Sequence, residues 1–217
     1  MDRRALALRA TVFAVAGCGL VYELLASTVA SWVLGDAVLQ FSIIIGGYLS
    51  ALGVGSLLSG SIRDQLAKRF VQIELVIAIV GGSAAPVLLA VSDSPLSFRS
   101  VLYGSTFACG TLVGLEIPLL VRLLEKREGF GDAVARVFAF DHVGSLAGSL
   151  LYAWLLAPRL GPARSACIVG MTSGFVALAS TWVLRPWLAN VAALRLASLA
   201  IVGTLAVALA YAGGRFA

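Results

Sequence analysis

Residues 40–61 read QFSIIIGGYLSALGVGSLLSGS, a run without a single charged side chain. A helix of about 22 residues rises roughly 33 Å, which is enough to cross the hydrocarbon core of a bilayer. Further apolar runs, separated by charged or Gly/Pro segments, cover 10–34, 70–92, 98–122, 133–157, 163–184 and 193–213. The sequence therefore predicts an all-α integral membrane protein, a bundle of about seven transmembrane helices, with residues 1–217 forming a single transmembrane domain.

The composition favours the same class. Of the 217 residues, 60% are hydrophobic and 12% are charged, and the mean hydropathy is +0.98. These values lie outside the range of soluble globular domains, so a cytosolic enzyme is excluded. The net charge is +5, but the basic residues form short clusters rather than one patch, so we expect no nucleic-acid partner. Cys18, Cys109 and Cys167 stand singly with no nearby ligand set, so they carry no information on a metal or on the redox compartment. We expect no metal site and no cofactor.

The distribution of basic residues predicts an orientation. Twelve of the 16 Lys and Arg residues fall on one side of the predicted spans and four on the other. The positive-inside rule then places the N-terminus in the cytoplasm of a multi-pass protein of the plasma (inner) membrane. Arg3 and Arg4 precede an apolar run that continues past Cys18 to Val33, which is longer than the core of a cleaved signal, so we predict a retained first helix.

Four acidic residues interrupt the apolar runs: Glu23, Glu74, Glu116 and Asp141. A carboxylate at the bilayer centre costs at least ~2.5–3.5 kcal/mol, so each must face a polar cavity, pair with a cation or carry a proton. Counting from the predicted helix ends places Glu116 and Asp141 in one layer, Glu23 near the midplane and Glu74 near the cytoplasmic surface. The acids would thus descend from the cytoplasmic mouth towards the centre, and they are the default functional hypothesis.

Each acid has an alternative, structural interpretation. For Glu74 we favour a helix-start residue that pairs with Lys68 or Arg69. Glu23, which is deep and adjoins Tyr22, is the stronger candidate for ligand binding.

For Glu116 and Asp141 two roles stay open: a bond to a neighbouring helix, or contact with a ligand. Pro118 removes a backbone donor two residues after Glu116 and predicts a kink there. Asp141, Ser145 and Tyr152 share one face of the fifth helix, which predicts a polar stripe that lines the interior.

Small residues recur at four-residue spacing in three of the predicted helices. The stripes comprise Gly47, Ala51, Gly55 and Ser59, then Gly110 and Gly114, then Gly144 and Gly148. Small residues let helix backbones approach closely, so the stripes predict helix–helix packing.

The loop between the second and third helices carries a recognisable motif. Gly60, Asp64, Lys68 and Arg69 have the spacing of a Gly, an Asp four residues on, and then a basic pair. This pattern resembles the cytoplasmic signature of the major facilitator superfamily, although Gln65 and Ala67 stand where that family prefers Arg and Gly. The resemblance implies, as one alternative, a half-length facilitator-type transporter that works as a homodimer.

A second resemblance covers nearly the whole chain. It rests on Tyr22-Glu23-Leu24, Leu34-Gly35, Gln40-Phe41-Ser42, Glu74, Gly114-Leu-Glu116-Ile-Pro118, Asp141-His142-Val-Gly144-Ser145-Leu-Ala-Gly148-Ser149 and Leu156-Ala-Pro158-Arg-Leu-Gly161. Together and in this order, these segments resemble the membrane domain of membrane-bound spermidine synthases, the polyamine aminopropyltransferases. The resemblance implies a bundle of about seven helices, normally followed by a Rossmann-like domain that uses decarboxylated S-adenosylmethionine.

The family's catalytic residues have no counterpart in this sequence, which contains neither a Gly-rich loop after a strand nor an acidic pair in a soluble segment. An activity as an enzyme is therefore left open, and we assign no catalytic residue. The leading hypothesis is a module in the lipid bilayer that binds or moves a polyamine. Its predicted ligand-binding residues are Glu23, Glu116, Asp141, Tyr22, Ser145 and Tyr152. The alternative function is that of a membrane anchor or assembly module for an aminopropyltransferase partner. The partner would be a separate aminopropyltransferase domain, or further copies of this chain in a homo-oligomer.

Overall fold

The structure, a computed structural model, describes residues 3–188 and 190–215. These ranges are almost entirely α-helical and contain no strand. The helices are α1 (Arg3–Leu34), α2 (Ala37–Ser59), α3 (Leu66–Ala90), α4 (Pro95–Glu128), α5 (Phe130–Leu151), α6 (Ala157–Val183) and α7 (Val191–Arg215). A π-helical turn, Tyr152–Leu156, joins α5 to α6, and a short 3₁₀ turn, Arg185–Trp187, precedes α7. The all-helical prediction is confirmed.

The predicted number of membrane-length segments is wrong. Six stretches of the described chain are long and apolar enough to cross a membrane, not seven. The fifth and sixth predicted segments form one helical stretch, Phe130–Val183, because the chain between them remains helical through the π-turn instead of forming a loop. Only Gly161, with φ 71° and ψ 172°, leaves the helical region within α6. Ala133 and Leu184 lie in the same core cluster, so the stretch folds back on itself at that glycine.

The interior divides into two clusters of buried side chains that lie towards opposite ends of the bundle. One gathers the first part of α1 with Phe70, Leu124 and Val137, and the other gathers the rest of α1 with Leu88 and Phe98. Helix α1 contacts all of α2 to α6, whereas α7 packs mainly on α6 and α3. Helix α1 is therefore the central element against which the polar interior residues are positioned.

Glycines set the closest helix contacts. A Cβ added at Gly55 would overlap the backbone of Thr111, and one added at Gly114 would overlap that of Leu52, so α2 and α4 touch through their backbones. Gly144 and Gly148 of α5 meet the backbone of α1 in the same way. These stripes pack as predicted, except at Gly47, where an added Cβ would meet nothing within 4 Å. These contacts are made within one chain, so the glycines that form them are covered by neighbouring helices and are not available to contact a second copy of the chain.

Candidate functional site

Two carboxyl groups lie side by side in the interior, Glu74 on α3 and Glu116 on α4. Their residues are 1% and 0% exposed. The two carboxyl groups are close enough to interact electrostatically with each other. None of their four oxygens has a hydrogen-bond partner of acceptable geometry. Buried polar groups are almost always hydrogen-bonded, and an ionised carboxylate left alone is among the most costly groups to bury. The pair is therefore the most unusual feature of the interior.

The structure corrects the predicted position of Glu74. The sequence placed this residue near the surface, paired with Lys68 or Arg69. Helix α3 begins at Leu66 rather than at residue 70, so Glu74 lies eight residues, or about 12 Å, into the helix. The Arg69 guanidinium donates to Gln72 Oε1 instead, at 3.4 Å. The assignment of Glu74 as a surface ion-pair residue is therefore wrong, and the sequence signal that was missed is the extra helical turn before residue 70.

The neighbours of the carboxyl pair are polar but uncharged. Tyr22 of α1 donates its hydroxyl to Ser173 Oγ of α6 at 3.3 Å, and Ser173 is also within interaction range of Glu74. The Cys18 thiol lies in the same region, 4.0 Å from the Val169 carbonyl oxygen. Tyr22 can take this position because α3 has Gly81 beneath its ring, where an added Cβ would lie 2.5 Å from ring atoms. Four helices thus meet around the two carboxyls, and the contacts described there come from hydroxyl and thiol groups.

Glu23, the residue after Tyr22 on α1, forms a second polar position that is separate from the carboxyl pair. It is 6% exposed and lines a small cavity of about 10 Å³ together with Tyr48, Thr106 and Cys109. The Thr106 hydroxyl is buried without a partner, while Tyr48 donates to the Gly19 carbonyl at 3.0 Å. A cavity of this size holds about one water-sized group. A carboxyl and an unpartnered hydroxyl at a cavity can accept and orient a single small donor, such as water or an ammonium group.

The remaining predicted ligand residues follow α5 and do not line the cavity of Glu23, although Asp141 lies within interaction range of Tyr48. The Asp141 side chain is 22% exposed and approaches His142 Nδ1 at 3.8 Å, while that nitrogen lies 2.7 Å from the Phe138 carbonyl oxygen. Ser145 is partly exposed on the same helix. Tyr152 donates to Thr28 Oγ1 at 2.8 Å, well along α1 from Tyr22. Of the predicted set, the structure therefore brings Tyr22 and Glu116 to the carboxyl pair, and Glu23 to the small cavity.

The loop motif is organised by a residue that the motif does not contain. Arg122 of α4 donates to the carbonyl oxygens of Ser59 and Ile62, both at 2.7 Å, and so satisfies the C-terminal end of α2. Gly60 lies at that end of the helix. Arg122 is one of the twelve basic residues that the positive-inside rule placed on the cytoplasmic side, and no spacing rule links it to residues about 60 positions earlier.

The other motif residues border a groove. Asp64 and Arg69 line an open groove of about 540 Å³ between the loop and helices α3 and α4, together with Arg63 and Gln72. Lys68 is partly buried in the first turn of α3. Among residues 3–188 and 190–215, no group of three or more His, Cys, Asp or Glu side chains is placed to hold a metal ion.

Known proteins resemble most of this chain. Polyamine aminopropyltransferase 2 of Ralstonia nicotianae is 46% identical over 198 residues, which are 90% of this chain and 39% of that protein. The polyamine aminopropyltransferase of Leptospira interrogans is 42% identical over 94% of this chain and 41% of its own length. A protein of the same name from Mycobacterium tuberculosis is 39% identical over 76% of this chain and 33% of its own length. The chain thus spans less than half of these curated relatives. No protein-family profile matches the chain, and no solved structure matches it.

Proposed function

We propose that this chain is a membrane-spanning module of the polyamine aminopropyltransferase family and that its interior carboxyls bind a polyamine. The relatives are named for polyamine aminopropyl transfer, and they match this chain over most of its length. A polyamine carries several positive charges along a flexible apolar chain. The complementary site is a set of carboxylates that have no cation of their own, set apart along an otherwise apolar interior.

The membrane part of the proposal rests on length and surface chemistry. The six apolar stretches are long enough to span hydrocarbon, and large apolar side chains cover their outer faces. Leu57, Trp154 and Leu196 are examples, with exposed fractions of 82%, 75% and 68%. A soluble monomer rarely exposes so much contiguous apolar surface, whereas lipid tails solvate it. The excess of Lys and Arg on one side supports an N-terminus in the cytoplasm.

The observation that carries polyamine binding is the set of buried, unpartnered oxygens. Glu74 and Glu116 supply four of them, and Thr106 supplies another beside Glu23. Cys109, which lines the cavity of Glu23, is seven residues before Glu116 on α4, so the two positions lie roughly 10 Å apart along the helix. An extended polyamine places ammonium groups at comparable separations. Each ammonium group would then replace a missing hydrogen-bond donor and neutralise a carboxylate.

Entry of a polyamine requires the helices to separate, because the cavity at Glu23 holds only about one water-sized group. The open groove offers a route. Ile73 and Leu115 line its floor, and each is the residue directly before one of the paired acids, Glu74 or Glu116. A small rotation of α3 or α4 would turn the carboxyls towards the groove. Pro118, inside α4, lacks the amide hydrogen that would stiffen the helix at this point.

Thermal unfolding of the purified chain in lipid nanodiscs tests the proposal. Spermidine should raise the unfolding temperature of the wild-type protein at constant ionic strength, and this gain should be lost in Glu23→Gln and in Glu116→Gln. Asp132→Asn is the matched control, because Asp132 is exposed near the start of α5 and pairs only loosely with Arg136, at 3.9 Å. An equal gain in all four proteins would mean non-specific surface binding, and no gain in the wild type would remove the polyamine assignment.

A further inference from the structure

We infer that Glu74 and Glu116 together form a proton-binding site, in which at least one of the two carboxyls stays protonated at neutral pH when no cation is bound. The inference concerns the empty site, so it does not depend on polyamine binding. It assigns a ligand, the proton, to the two residues that the rest of the interior leaves without partners.

The geometry of the pair carries the inference. The carboxyls come from different helices, and the packing of α3 on α4 holds them near each other. Both residues are at most 1% exposed, so water cannot screen their mutual repulsion. Two carboxylates that share a site in low dielectric cannot both remain ionised, and one proton held between them removes the repulsion. The same proton supplies a donor to oxygens that otherwise have none.

The surrounding groups offer no other source of charge balance. From α1 the pair faces the Cys18 thiol and the Tyr22 hydroxyl, from α6 it faces the Ser173 hydroxyl, and from α2 the Tyr48 hydroxyl lies within range of Glu116. None of these groups is cationic.

Two basic residues with described contacts are engaged elsewhere. Arg122 of α4 bonds the end of α2, and Arg195 of α7 bonds Thr181 and stacks on the Trp182 ring. A multivalent metal ion is a poor alternative, because no third His, Cys, Asp or Glu of the described residues completes a ligand set. The proton is therefore the occupant that fits both the charge and the space.

Infrared spectroscopy of the purified chain in nanodiscs tests the inference. A protonated carboxyl has a C=O stretching band that is separate from the bands of carboxylates and shifts in D₂O. The spectrum is recorded at neutral pH, without polyamine, for the wild type, the double variant Glu74→Gln/Glu116→Gln and Asp132→Asn. We expect the band in the wild type, a loss of the area of at least one carboxyl in the double variant, and no change in Asp132→Asn, whose side chain is exposed.

Two results would overturn the inference. The first is a wild-type spectrum without the band, which decides the matter even if the double variant does not fold. The second is a band whose area is the same in the wild type and in the double variant, since the proton would then be held elsewhere. Neither result bears on the spermidine experiment, in which the ligand is present, so the two proposals fail independently.

Discussion

The contact between α2 and α4 predicts opposite effects for two glycines on the same helix. Gly53 and Gly55 are two residues apart on α2. An added Cβ would meet nothing within 4 Å at Gly53, whereas at Gly55 it would overlap the Thr111 carbonyl oxygen and approach Leu115 N to 2.9 Å. The overlap is with backbone, which cannot rotate away as a side chain can. In Gly55→Ala the two helices must therefore move apart.

The magnitudes follow from two opposing contributions. Alanine stabilises a helix interior by about 1 kcal/mol relative to glycine, so Gly53→Ala should raise the free energy of unfolding by about that amount. Gly55→Ala gains the same propensity but overpacks the interface, which typically costs ~1–3 kcal/mol. Since the propensity contribution cancels between the variants, Gly55→Ala should be less stable than Gly53→Ala by roughly 1–3 kcal/mol.

Reversible unfolding of the purified proteins in mixed micelles of increasing SDS content measures this difference. Both variants place the same side chain on the same helix, so a general effect of alanine on micelle binding appears equally in each. If Gly55→Ala proved as stable as Gly53→Ala, the close backbone contact between α2 and α4 would be refuted.

Three further predictions use the same protein. Arg122→Ala should lower the free energy of unfolding by about 2–4 kcal/mol, because two hydrogen bonds from a charged group to the end of α2 are lost, while Arg63→Ala, exposed in the same loop, should change it little; equal losses would contradict the capping role. Gly161→Ala should destabilise the chain by ~1–3 kcal/mol in the same SDS titration, since φ 71° with ψ 172° is a region that only glycine occupies readily, and unchanged stability would show that the fold-back adopts another backbone geometry. Spermidine added to the wild type in weak buffer should release protons measured by a pH electrode, and Glu116→Gln should release none; binding without release would show that the cation does not replace the proton of the pair.

Much of the fold could be predicted from the sequence, because helix formation in apolar runs is a local property. The apolar runs over 40–61 and 98–122 predict α2 and α4, although the helices span Ala37–Ser59 and Pro95–Glu128 and so differ from the runs at their ends. The count of segments could not be predicted, because the helical continuity between α5 and α6 depends on how Tyr152–Leu156 adopts a π-turn against α1.

The candidate site was predicted only in part. That Glu23 and Glu116 are exceptional follows from hydropathy alone, since each is a carboxyl in an apolar run. The partnership of Glu116 with Glu74 was not predictable, because helical periodicity reports the face of one helix and carries no information on which faces of two helices meet.

The sequence by itself determined that this chain is a set of long apolar helices and that a few carboxyls lie within them, since both properties depend on composition along one helix. Only the tertiary structure decided that Glu74 and Glu116, 42 residues apart, share one buried space and that Arg122 satisfies the end of α2. The physical reason is that these contacts depend on the rotation and separation of packed helices. In this chain glycines bring the backbones together, and their effect is visible only when both partners of a contact are known.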